Sequence, residues 1–347
     1  MKRHLLFLAA LLIVNLAASA QKKFSVYAVG FYNQENLFDT CHDEGKKDYE
    51  YLPNKGWNGM KYTNKLRNMS KALADMGTDV LPQVGCAFIG LSEVENHKVL
   101  DALVDQAPLK ARNMKYVHIE GPDRRGIDCA LLYNPSLFSV KNVKLLPYVQ
   151  ELAKDSAFFT RGFLTVRGEM AGDDVAVIVC HWPSRFSGPF YRESAARQVK
   201  VIKDSLLNVN QEMKIFVMGD MNDDPVNKSM HVYLQAKPEI GQVGAGDMYN
   251  PWYNVLAKEG KGTLFYSGNW NLFDQIVITP NLLNKDAKKK DYSSLKYWKS
   301  HIFRRDYLIQ QEGQYKGAPL RTTAGGRWLN GYSDHLPVVM YLVKEKK

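Results

Sequence analysis

The sequence has few cysteines and no long apolar run beyond its first twenty residues. Its four cysteines and eight histidines form no cluster with the ligand spacing of a zinc site, which disfavours a zinc centre. No stretch after residue 20 is long and apolar enough to cross a bilayer. The chain also lacks a Pro/Gly/Ser-rich linker, an internal repeat or a low-complexity tract that would divide it.

The first twenty residues have the pattern of a secretory signal peptide. Lys2 and Arg3 provide a positive start, residues 5–16 form a short apolar stretch, and residues 18–20 form an A-x-A cleavage site. No cysteine lies near the cleavage point, so a lipid anchor is not expected. We predict cleavage after Ala20 and export of the chain to the periplasm or the exterior, without stable membrane insertion.

Residues 21–347 are expected to form a single domain in a monomeric protein. Short apolar or β-branched runs alternate with longer segments of helical periodicity, which predicts a layered α/β or α+β fold. The predicted strands are residues 24–31, 86–92, 127–133, 162–168, 174–181, 214–219, 272–279 and 335–343, and the predicted helices are residues 62–76, 96–106 and 190–208.

The charge balance suits a polyanionic partner. The formal net charge is +10, and a moderately basic surface favours nucleic acid or anionic lipid. Much of the excess lies in residues 284–305, where basic side chains alternate with Tyr292, Tyr297 and Trp298. This segment either follows a phosphate backbone while its rings stack on bases, or it is a solvated loop whose rings pack on the body of the protein.

Polar side chains stand next to the predicted strands at six places. Any one of them alone is typical of a turn or cap residue. Together they offer only the carboxylate, amide and imidazole groups that a hard divalent cation and a phosphate require. The residues are Asn33, Glu35, Glu93, His181, Asp220, Asp274, Asp334 and His335.

In their order along the chain, these motifs resemble those of the endonuclease/exonuclease/phosphatase superfamily, and most closely its secreted deoxyribonuclease-like branch. The resemblance extends from about residue 24 to about residue 344 and rests on "FYNQENLFD", "GLSEVEN", "GIDCALLYNP", "HWPSR", "GDMNDDP", "FDQIVI" and "SDHLPV". It implies a four-layer α/β/β/α sandwich, in which two mixed β-sheets lie face to face with helices outside. It also implies a metal-dependent phosphoric ester hydrolase.

The resemblance assigns four residues to the metal pocket. Glu93 matches the principal metal-binding glutamate, and Asn33 matches the asparagine beside it. Glu35 matches a nearby acid that assists the metal. Asp334 matches an aspartate that either binds the metal directly or contacts one of the metal ligands. Few carboxylates together with water suit Mg²⁺, with Mn²⁺ as the alternative.

The catalytic residues implied by the resemblance are five. Asp220 orients or deprotonates the attacking water, and Asn222 holds a phosphate oxygen. His335 contacts the scissile phosphate, and Asp274 orients that histidine. His181 is a second phosphate contact and a candidate general acid. A protonated histidine held by a carboxylate would stabilise the charge that develops on the phosphate.

Two further residues are expected to contact substrate. Arg185 is placed to reach a phosphate, and Asp128 is a loose match for the carboxylate partner of His181. If Asp128 and His181 meet across neighbouring strands, side-chain alternation turns Cys129 and Cys180 to the opposite face, close to each other. Buried free thiols are otherwise the expected state of these two cysteines.

Other charged residues are assigned to structure. Arg192 and Arg197 are expected on a helix surface, and Asp223 with Asp224 are expected to shape a turn. Five histidines match no motif and are expected to be structural or solvated: His42, His97, His118, His231 and His301.

The resemblance, together with the basic charge, implies a nuclease acting on DNA or RNA, with endo or exo cleavage left open. A phosphatase or a lipid phosphodiesterase of the same superfamily is the alternative. "WNLFDQIVI" stands where inositol-phosphatases carry a P-A-W-C-D-R signature, which weakens that branch. A non-catalytic polyanion-binding protein is a further possibility, but the presence of the expected metal-binding and catalytic residues argues against it.

Overall fold

A computed structural model describes residues 23–149, 151, 158–286 and 288–346 of the chain. The predicted signal peptide lies outside these residues, so export stays a prediction. None of the described helices has the length and apolar character that would let it cross a membrane.

The described segments contain the following strands and helices, numbered in chain order. The strands are β1 (Phe24–Leu37), β2 (Cys86–Val94), β3 (Lys115–His118), β4 (Asp128–Tyr133), β5 (Phe138–Leu146), β6 (Phe163–Met170), β7 (Asp173–His181), β8 (Lys214–Asp220), β9 (Ala236–Lys237), β10 (Met248–Tyr249), β11 (Leu264–Tyr266), β12 (Asn269–Asn271), β13 (Asp274–Ile278), β14 (Lys296–Ile302), β15 (Thr323–Ala324), β16 (Arg327–Trp328) and β17 (Val338–Glu345). The α-helices are α1 (Gly59–Asp75), α2 (His97–Val104), α3 (Ala107–Lys110), α4 (Pro189–Val209) and α5 (Trp252–Ala257).

Two large mixed sheets form the centre of the fold. One has six strands in the order β14-β17-β1-β2-β4-β3, and the other has seven in the order β5-β6-β7-β8-β13-β10-β9. In the first sheet β1 and β2 are parallel while β17 and β4 are antiparallel to them. In the second sheet β7 and β8 are parallel while β6 and β13 are antiparallel to them.

Apolar side chains fill three layers, which gives the four-layer arrangement. In β7 the side chains of Val175, Val177 and Val179 lie in the core between the sheets, whereas Ala176 and Ile178 lie in the core with residues of α4. This alternation follows from the two-residue period of a strand. A third cluster joins the outer face of the six-stranded sheet to α1 and α2. The predicted α/β sandwich of two mixed sheets flanked by helices is confirmed.

The predicted strands and helices are present with shifted ends. β1 extends to Leu37, six residues beyond its predicted end, so that Asn33 and Glu35 belong to the strand itself. β5 and β14 were not predicted. Both are edge strands whose side chains are mostly exposed or half-buried, so neither shows the apolar run of a central strand.

The basic segment 284–305 begins at the end of the sheet remote from Asn33. The ring of Tyr292 packs on Phe24, with 5.1 Å between centroids, and the ring of Tyr297 packs on Tyr249 at 5.3 Å. Phe24 begins β1, and nine residues at about 3.3 Å each place it about 30 Å from Asn33. The packing of Tyr292 and Tyr297 agrees with the second interpretation, but residues 296–302 form the edge strand β14 rather than a loop, and Trp298 is half exposed.

All four cysteines are free thiols. Cys129 and Cys180 are buried, as expected, but they do not share a face. Cys129 lies in the core between the sheets, and Cys180 lies in the core with α4. The predicted shared face is wrong because side-chain alternation turns Cys129 of β4 towards the other sheet, whereas it turns Cys180 of β7 away from the core between the sheets.

Candidate active site

Three polar residues stand in one row across neighbouring strands of the seven-stranded sheet. His181 and Asp220 are the last residues of the parallel strands β7 and β8, and Asp274 is the first residue of the antiparallel strand β13. The strand register pairs His181 with Asp220 and Asp274 with Asp220. Because each residue continues the face that fills the core between the sheets, the row opens where that core ends.

His335 enters this row from the loop before β17. Its Nδ1–H donates to Asp274 Oδ2 at 2.7 Å, and its Nε2 lies 3.8 Å from Asp220 Oδ2. Its backbone N–H donates to the Ser333 hydroxyl at 3.1 Å, and that hydroxyl donates to the carbonyl of Asn33 at 2.8 Å. The six-stranded sheet therefore holds the loop that aims His335 at the row.

Within the row, His335 and Asp220 change each other's pKa. Burial alone would lower the pKa of His335, but the charges of Asp274 and Asp220 outweigh burial and raise the pKa well above its ordinary value. Burial raises the pKa of Asp220, and the nearby His335 charge acts in the opposite direction. A protonated imidazole beside a basic carboxylate suits phosphoester hydrolysis, where one group donates a proton and another accepts one.

Both oxygens of Asp220 are held in place. Oδ2 accepts from the Asn33 amide at 3.0 Å, and Oδ1 accepts from the backbone N–H of Asn222 at 2.9 Å. The Asn222 amide donates to the carbonyl of Trp182 at 3.0 Å. These bonds fix the orientation of the carboxylate before any substrate arrives.

His181 stands on the other side of Asp220. Its Nε2 lies 3.8 Å from Asp220 Oδ2 and 3.7 Å from Glu93 Oε1. Burial lowers the pKa of His181 well below its ordinary value, and the charges of Arg161 and Arg125 lower it further. The ring is therefore neutral near pH 7, which suits a hydrogen-bond contact to phosphate better than a general acid.

The predicted pairing of Asp128 with His181 is wrong. Asp128 Oδ2 instead accepts from His118 Nε2 at 3.1 Å, and its Oδ1 accepts from the N–H of Gly121 at 3.0 Å. Within the described part of the chain, the buried Nδ1 of His181 has no hydrogen-bond partner. Asp128 and His118 thus form a structural pair that shapes the loop before β4.

A second group of carboxylates lies beside the row. Arg321 bridges two of them, since its Nε donates to Glu35 Oε1 at 3.2 Å and its Nη2 donates to Asp334 Oδ2 at 3.0 Å. Glu35 Oε2 also accepts from the N–H of Thr322 at 2.6 Å. Burial and the like charge of Asp334 raise the pKa of Glu35, and Lys65 and Arg321 oppose that rise.

The backbone around these carboxylates is strained. Four residues other than glycine have left-handed φ angles here: Glu35 at 46°, Asn36 at 55°, Glu93 at 60° and Asn222 at 49°. Such conformations are uncommon for L-residues and cluster at functional sites. The twist at Glu93 accompanies a hydrogen bond in which its Oε2 accepts from the N–H of Asn36 at 3.0 Å.

A family model described as the endonuclease/exonuclease/phosphatase family matches residues 28–344, which includes every residue of the site. The chain belongs to this family. Endonuclease/exonuclease/phosphatase enzymes are phosphoesterases and generally use divalent metal ions. The comparison with curated protein sequences yields no match.

The solved structures with the same fold include the following three proteins. ANGEL2, a 2′,3′-cyclic phosphatase, has 13% identity, a TM-score of 0.58, and coverage of 94% of this chain and 99% of that one. The mannosyl-6-phosphatase of Bacteroides thetaiotaomicron has 14% identity, a TM-score of 0.54, and coverage of 91% and 99%. D. rerio TDP2 complexed with single-strand DNA product has 11% identity, a TM-score of 0.53, and coverage of 92% and 99%. At these identities the likeness shows the fold.

The carboxylates of this family member fit a hard divalent cation. Glu93 Oε1 faces His181 at 3.7 Å, so an oxygen remains available beside the catalytic row. The like-charged pair Glu35 and Asp334 would be relieved by a further positive charge. Among the described residues, no three His, Cys, Asp or Glu side chains already stand at metal-ligand spacing. One or two carboxylates with several waters is the usual protein environment of Mg²⁺.

Arg185 was expected to bind substrate, but its guanidinium is engaged by the loop that follows β8. It donates to the carbonyl of Asn222 at 3.1 Å, to Asp224 Oδ2 at 2.8 Å and to Asn271 Oδ1 at 3.1 Å. It also stacks on the ring of Phe273, 4.4 Å from the centroid. Arg185 therefore positions the loop that carries Asn222.

The assignment of Arg192 to the helix surface is corrected, whereas Asp223 does shape the turn after β8 as expected. Arg192 is only 4% exposed and pairs with Asp223 at 2.9 Å, so it does not lie on the helix surface. Asp223 is also buried and accepts from the Ser229 hydroxyl at 2.7 Å. Arg197 is partly exposed on α4, as expected, and pairs with Glu151 at 2.7 Å. The turn after β8 is thus anchored by a buried ion pair.

Lys65 and Arg321 were not predicted as parts of the site. Lys65 is fully buried in α1, and its Nζ donates to Thr322 Oγ1 at 2.6 Å and to the carbonyl of Tyr332 at 2.5 Å. It thereby ties the loop that carries Arg321 to the helix. The sequence offers one signal for Lys65, its position on the apolar face of α1. That signal is weak, because lysines are also common at the edges of such a face, where they are solvated.

Proposed function

We propose that the chain is an exported, divalent-metal-dependent hydrolase of phosphoesters. The observation that supports this proposal most strongly is the placement of His335 and His181 on either side of Asp220, each with Nε2 at 3.8 Å from Oδ2. Two imidazoles and a buried carboxylate converge there with the carboxylate of Glu93. This combination can bind a phosphate anion and activate water beside it.

Each side chain has a role in the proposed reaction. Asp220 accepts the proton of the attacking water, because burial raises its pKa and Asn33 with Asn222 orient it. The His335 imidazolium donates from Nε2 to a phosphate oxygen and stabilises the charge that grows there, while Asp274 holds its Nδ1. Neutral His181 adds a second hydrogen bond to the phosphate.

The metal pocket would be formed by Glu93, with Asn33, Glu35 and Asp334 around it. A bound Mg²⁺ or Mn²⁺ would neutralise phosphate charge and favour delivery of the nucleophile. Arg321 supplies positive charge next to the same carboxylates, at 3.2 Å from Glu35 and 3.0 Å from Asp334.

A nucleic acid is the first substrate candidate, endo or exo. The order of the motifs, the positive net charge and the DNA complex of the similar TDP2 structure support it. In the basic segment 284–305 the rings of Tyr292 and Tyr297 pack on the body of the protein, so neither ring is free to stack on bases.

A small phosphoester is the second candidate. A cavity of about 300 Å³ adjoins Glu35 and Asp334, which is the size class of a site for one small ring compound. The similar structures of a mannosyl-6-phosphatase and a cyclic phosphatase also support this candidate.

A substrate panel tests the proposal. Plasmid DNA, RNA, bis-p-nitrophenyl phosphate, p-nitrophenyl phosphate and sphingomyelin are each incubated with Mg²⁺, Mn²⁺ or excess chelator. We expect metal-dependent hydrolysis that His335→Ala abolishes and His231→Ala retains, and the substrate cleaved identifies the class. Metal-independent binding of polyanions without any turnover would instead support a non-catalytic protein. N-terminal sequencing of protein from the periplasmic fraction tests export, with Gln21 expected as the first residue.

A further inference from the structure

A cavity beside the metal pocket has a different lining from the catalytic row. We name it the Trp328 pocket. Its volume is about 300 Å³, and Glu35, Asn36 and Asp334 form its inner wall. The outer wall comes from parts of the chain that the catalytic row does not use: the loop between β1 and α1, the first turn of α1, and the β15–β16 hairpin. The outer wall includes the side chains of Glu50, Tyr51, Lys55, Trp57, Lys61 and Trp328.

The aromatic wall of the Trp328 pocket is held by contacts within the protein. Trp57 is buried, and its Nε1–H donates to the carbonyl of Phe38 at 3.2 Å. The ring of Tyr51 stacks on Phe38, with 4.1 Å between centroids and 6° between planes. Trp328 meets Trp57 edge to face at 5.7 Å and remains only partly buried. A ligand ring therefore finds a fixed apolar surface at Trp328.

Charged side chains stand on the rim of the pocket, and the ammonium of Lys61 makes a cation–π contact with the ring of Trp328. Lys61 Nζ lies 5.7 Å from the ring centroid of Trp328. Within the part of the chain that the structure describes, neither Lys55 nor Lys61 has a carboxylate oxygen within 4 Å. Glu50 contributes a carboxylate to the same rim. Donors and acceptors thus stand beside one aromatic face.

We propose that the Trp328 pocket binds the sugar ring of a phosphorylated monosaccharide whose phosphate lies in the catalytic row. Each sugar hydroxyl both donates and accepts hydrogen bonds, so it can bond the ammonium groups of Lys55 and Lys61 and the carboxylate of Glu50. The apolar face of the ring packs on Trp328. A lipid chain would leave these charged groups unpaired, and they flank a single exposed aromatic face rather than a two-sided slot for a base.

The position of the pocket supplies the link to the reaction. Arg321 lines the pocket and bonds both Glu35 and Asp334, so a ring in the pocket lies next to the proposed metal carboxylates. This inference rests on the proposed function, because it assigns the group that carries the scissile phosphate.

The test compares substrates that differ only in the ring. Phosphate release with Mg²⁺ is measured for mannose 6-phosphate, glucose 6-phosphate, thymidine 5′-monophosphate and glycerol 3-phosphate, with p-nitrophenyl phosphate as a generic substrate. We expect a hexose phosphate to be the best substrate. Trp328→Ala and Lys61→Ala should each reduce its kcat/KM about tenfold, the loss of one good contact, through KM, while glycerol 3-phosphate turnover changes less than about twofold.

Matched controls and a binding measurement keep the two proposals distinct. Trp298→Ala removes an exposed tryptophan of β14, and Lys110→Ala removes an exposed lysine of α3; neither should change the preference. A preference for the nucleotide, or equal losses on all substrates in the pocket variants, would overturn the sugar assignment. If no substrate is hydrolysed, the proposed function fails, and intrinsic tryptophan fluorescence with mannose 6-phosphate then decides: quenching lost in Trp328→Ala supports the pocket, and no quenching overturns it.

Discussion

His335 and Asp274 form a 2.7 Å hydrogen bond between Nδ1 and Oδ2, although 61 residues separate them in the chain. The bond joins the loop before β17 of the six-stranded sheet to the first residue of β13 in the seven-stranded sheet. It fixes the orientation of the imidazole ring and directs Nε2 to Asp220. Side chains from the two sheets therefore contact each other directly at the place where the core between the sheets ends.

Replacing Asp274 by asparagine should lower kcat while KM changes little. The substitution keeps the size of the side chain but removes the charge that raises the pKa of His335. Loss of a positioned acid or its partner reduces rates by about 10² or more. Steady-state kinetics with bis-p-nitrophenyl phosphate measures the effect, with the exposed Asp105→Asn as control. An Asp274→Asn rate within twofold of wild type would contradict the role of the pair.

Replacing Glu93 by glutamine should weaken binding of Mg²⁺. Glu93 offers a carboxylate oxygen beside the catalytic row, and glutamine keeps its shape but not its charge. We expect the apparent dissociation constant to rise about 10-fold to 100-fold, as for other altered metal sites. Isothermal titration calorimetry without substrate measures it, and Glu169→Gln, which changes an exposed side chain of β6, serves as control. Unchanged affinity would place the metal elsewhere.

Replacing Arg185 by alanine should lower both stability and activity. The guanidinium donates to Asn222, Asp224 and Asn271, and its loss releases the loop that carries Asn222. Because the side chain is partly exposed, the free energy of unfolding should fall by only about 1–2 kcal/mol. Urea unfolding and kcat/KM are measured together. Arg185→Lys should not restore either quantity, since lysine lacks the planar set of donors; full rescue by lysine would indicate that charge alone matters.

Lys65 predicts a specific dependence of stability on pH. Burial lowers the pKa of Lys65 from 10.5 to about 8 in the folded chain. Between these values the unfolded chain binds a proton that the folded chain does not, so this group makes the free energy of unfolding rise with pH. Lys65→Met removes the titration.

Urea unfolding in chelator at several pH values checks this prediction. The free energy of unfolding of the wild type, relative to Lys65→Met, should increase as pH rises from about 8 to about 10.5. The exposed Lys110→Met should show no such trend. A constant difference between wild type and Lys65→Met would show that Lys65 keeps its ordinary affinity for protons.

The sequence was informative where a residue's position depends on its own strand. His181, Asp220 and Asp274 could be predicted as neighbours of strands because apolar runs end or begin beside them, and alternation then directs all three into the core between the sheets. The sequence could not show that Asp128 pairs with His118 instead of His181. Asp128 lies at the start of a strand of the other sheet, and strand order is not encoded in local periodicity.

Residues that reach the site from irregular segments were also beyond prediction. Arg321 lies in a loop with no apolar period, and its contacts with Glu35 and Asp334 depend on the tie between Lys65 and Thr322. Arg192 has the spacing of a helix-surface residue, yet it is buried because Asp223 and the carbonyls of Ser184 and Ser187 surround its guanidinium. Long-range pairing overrides helical period in such cases.

The most direct test of metal-dependent hydrolysis at Asp220 uses bis-p-nitrophenyl phosphate as the substrate. Its hydrolysis is measured for wild type and Asp220→Asn, each with Mg²⁺ and with excess chelator. Asparagine keeps the shape of Asp220 and removes the group that accepts the proton of water. We expect release of p-nitrophenol by wild type with Mg²⁺ only, and a loss of at least about 10² in kcat for the variant. Equal rates for the two proteins, or a rate unaffected by chelator, would contradict it.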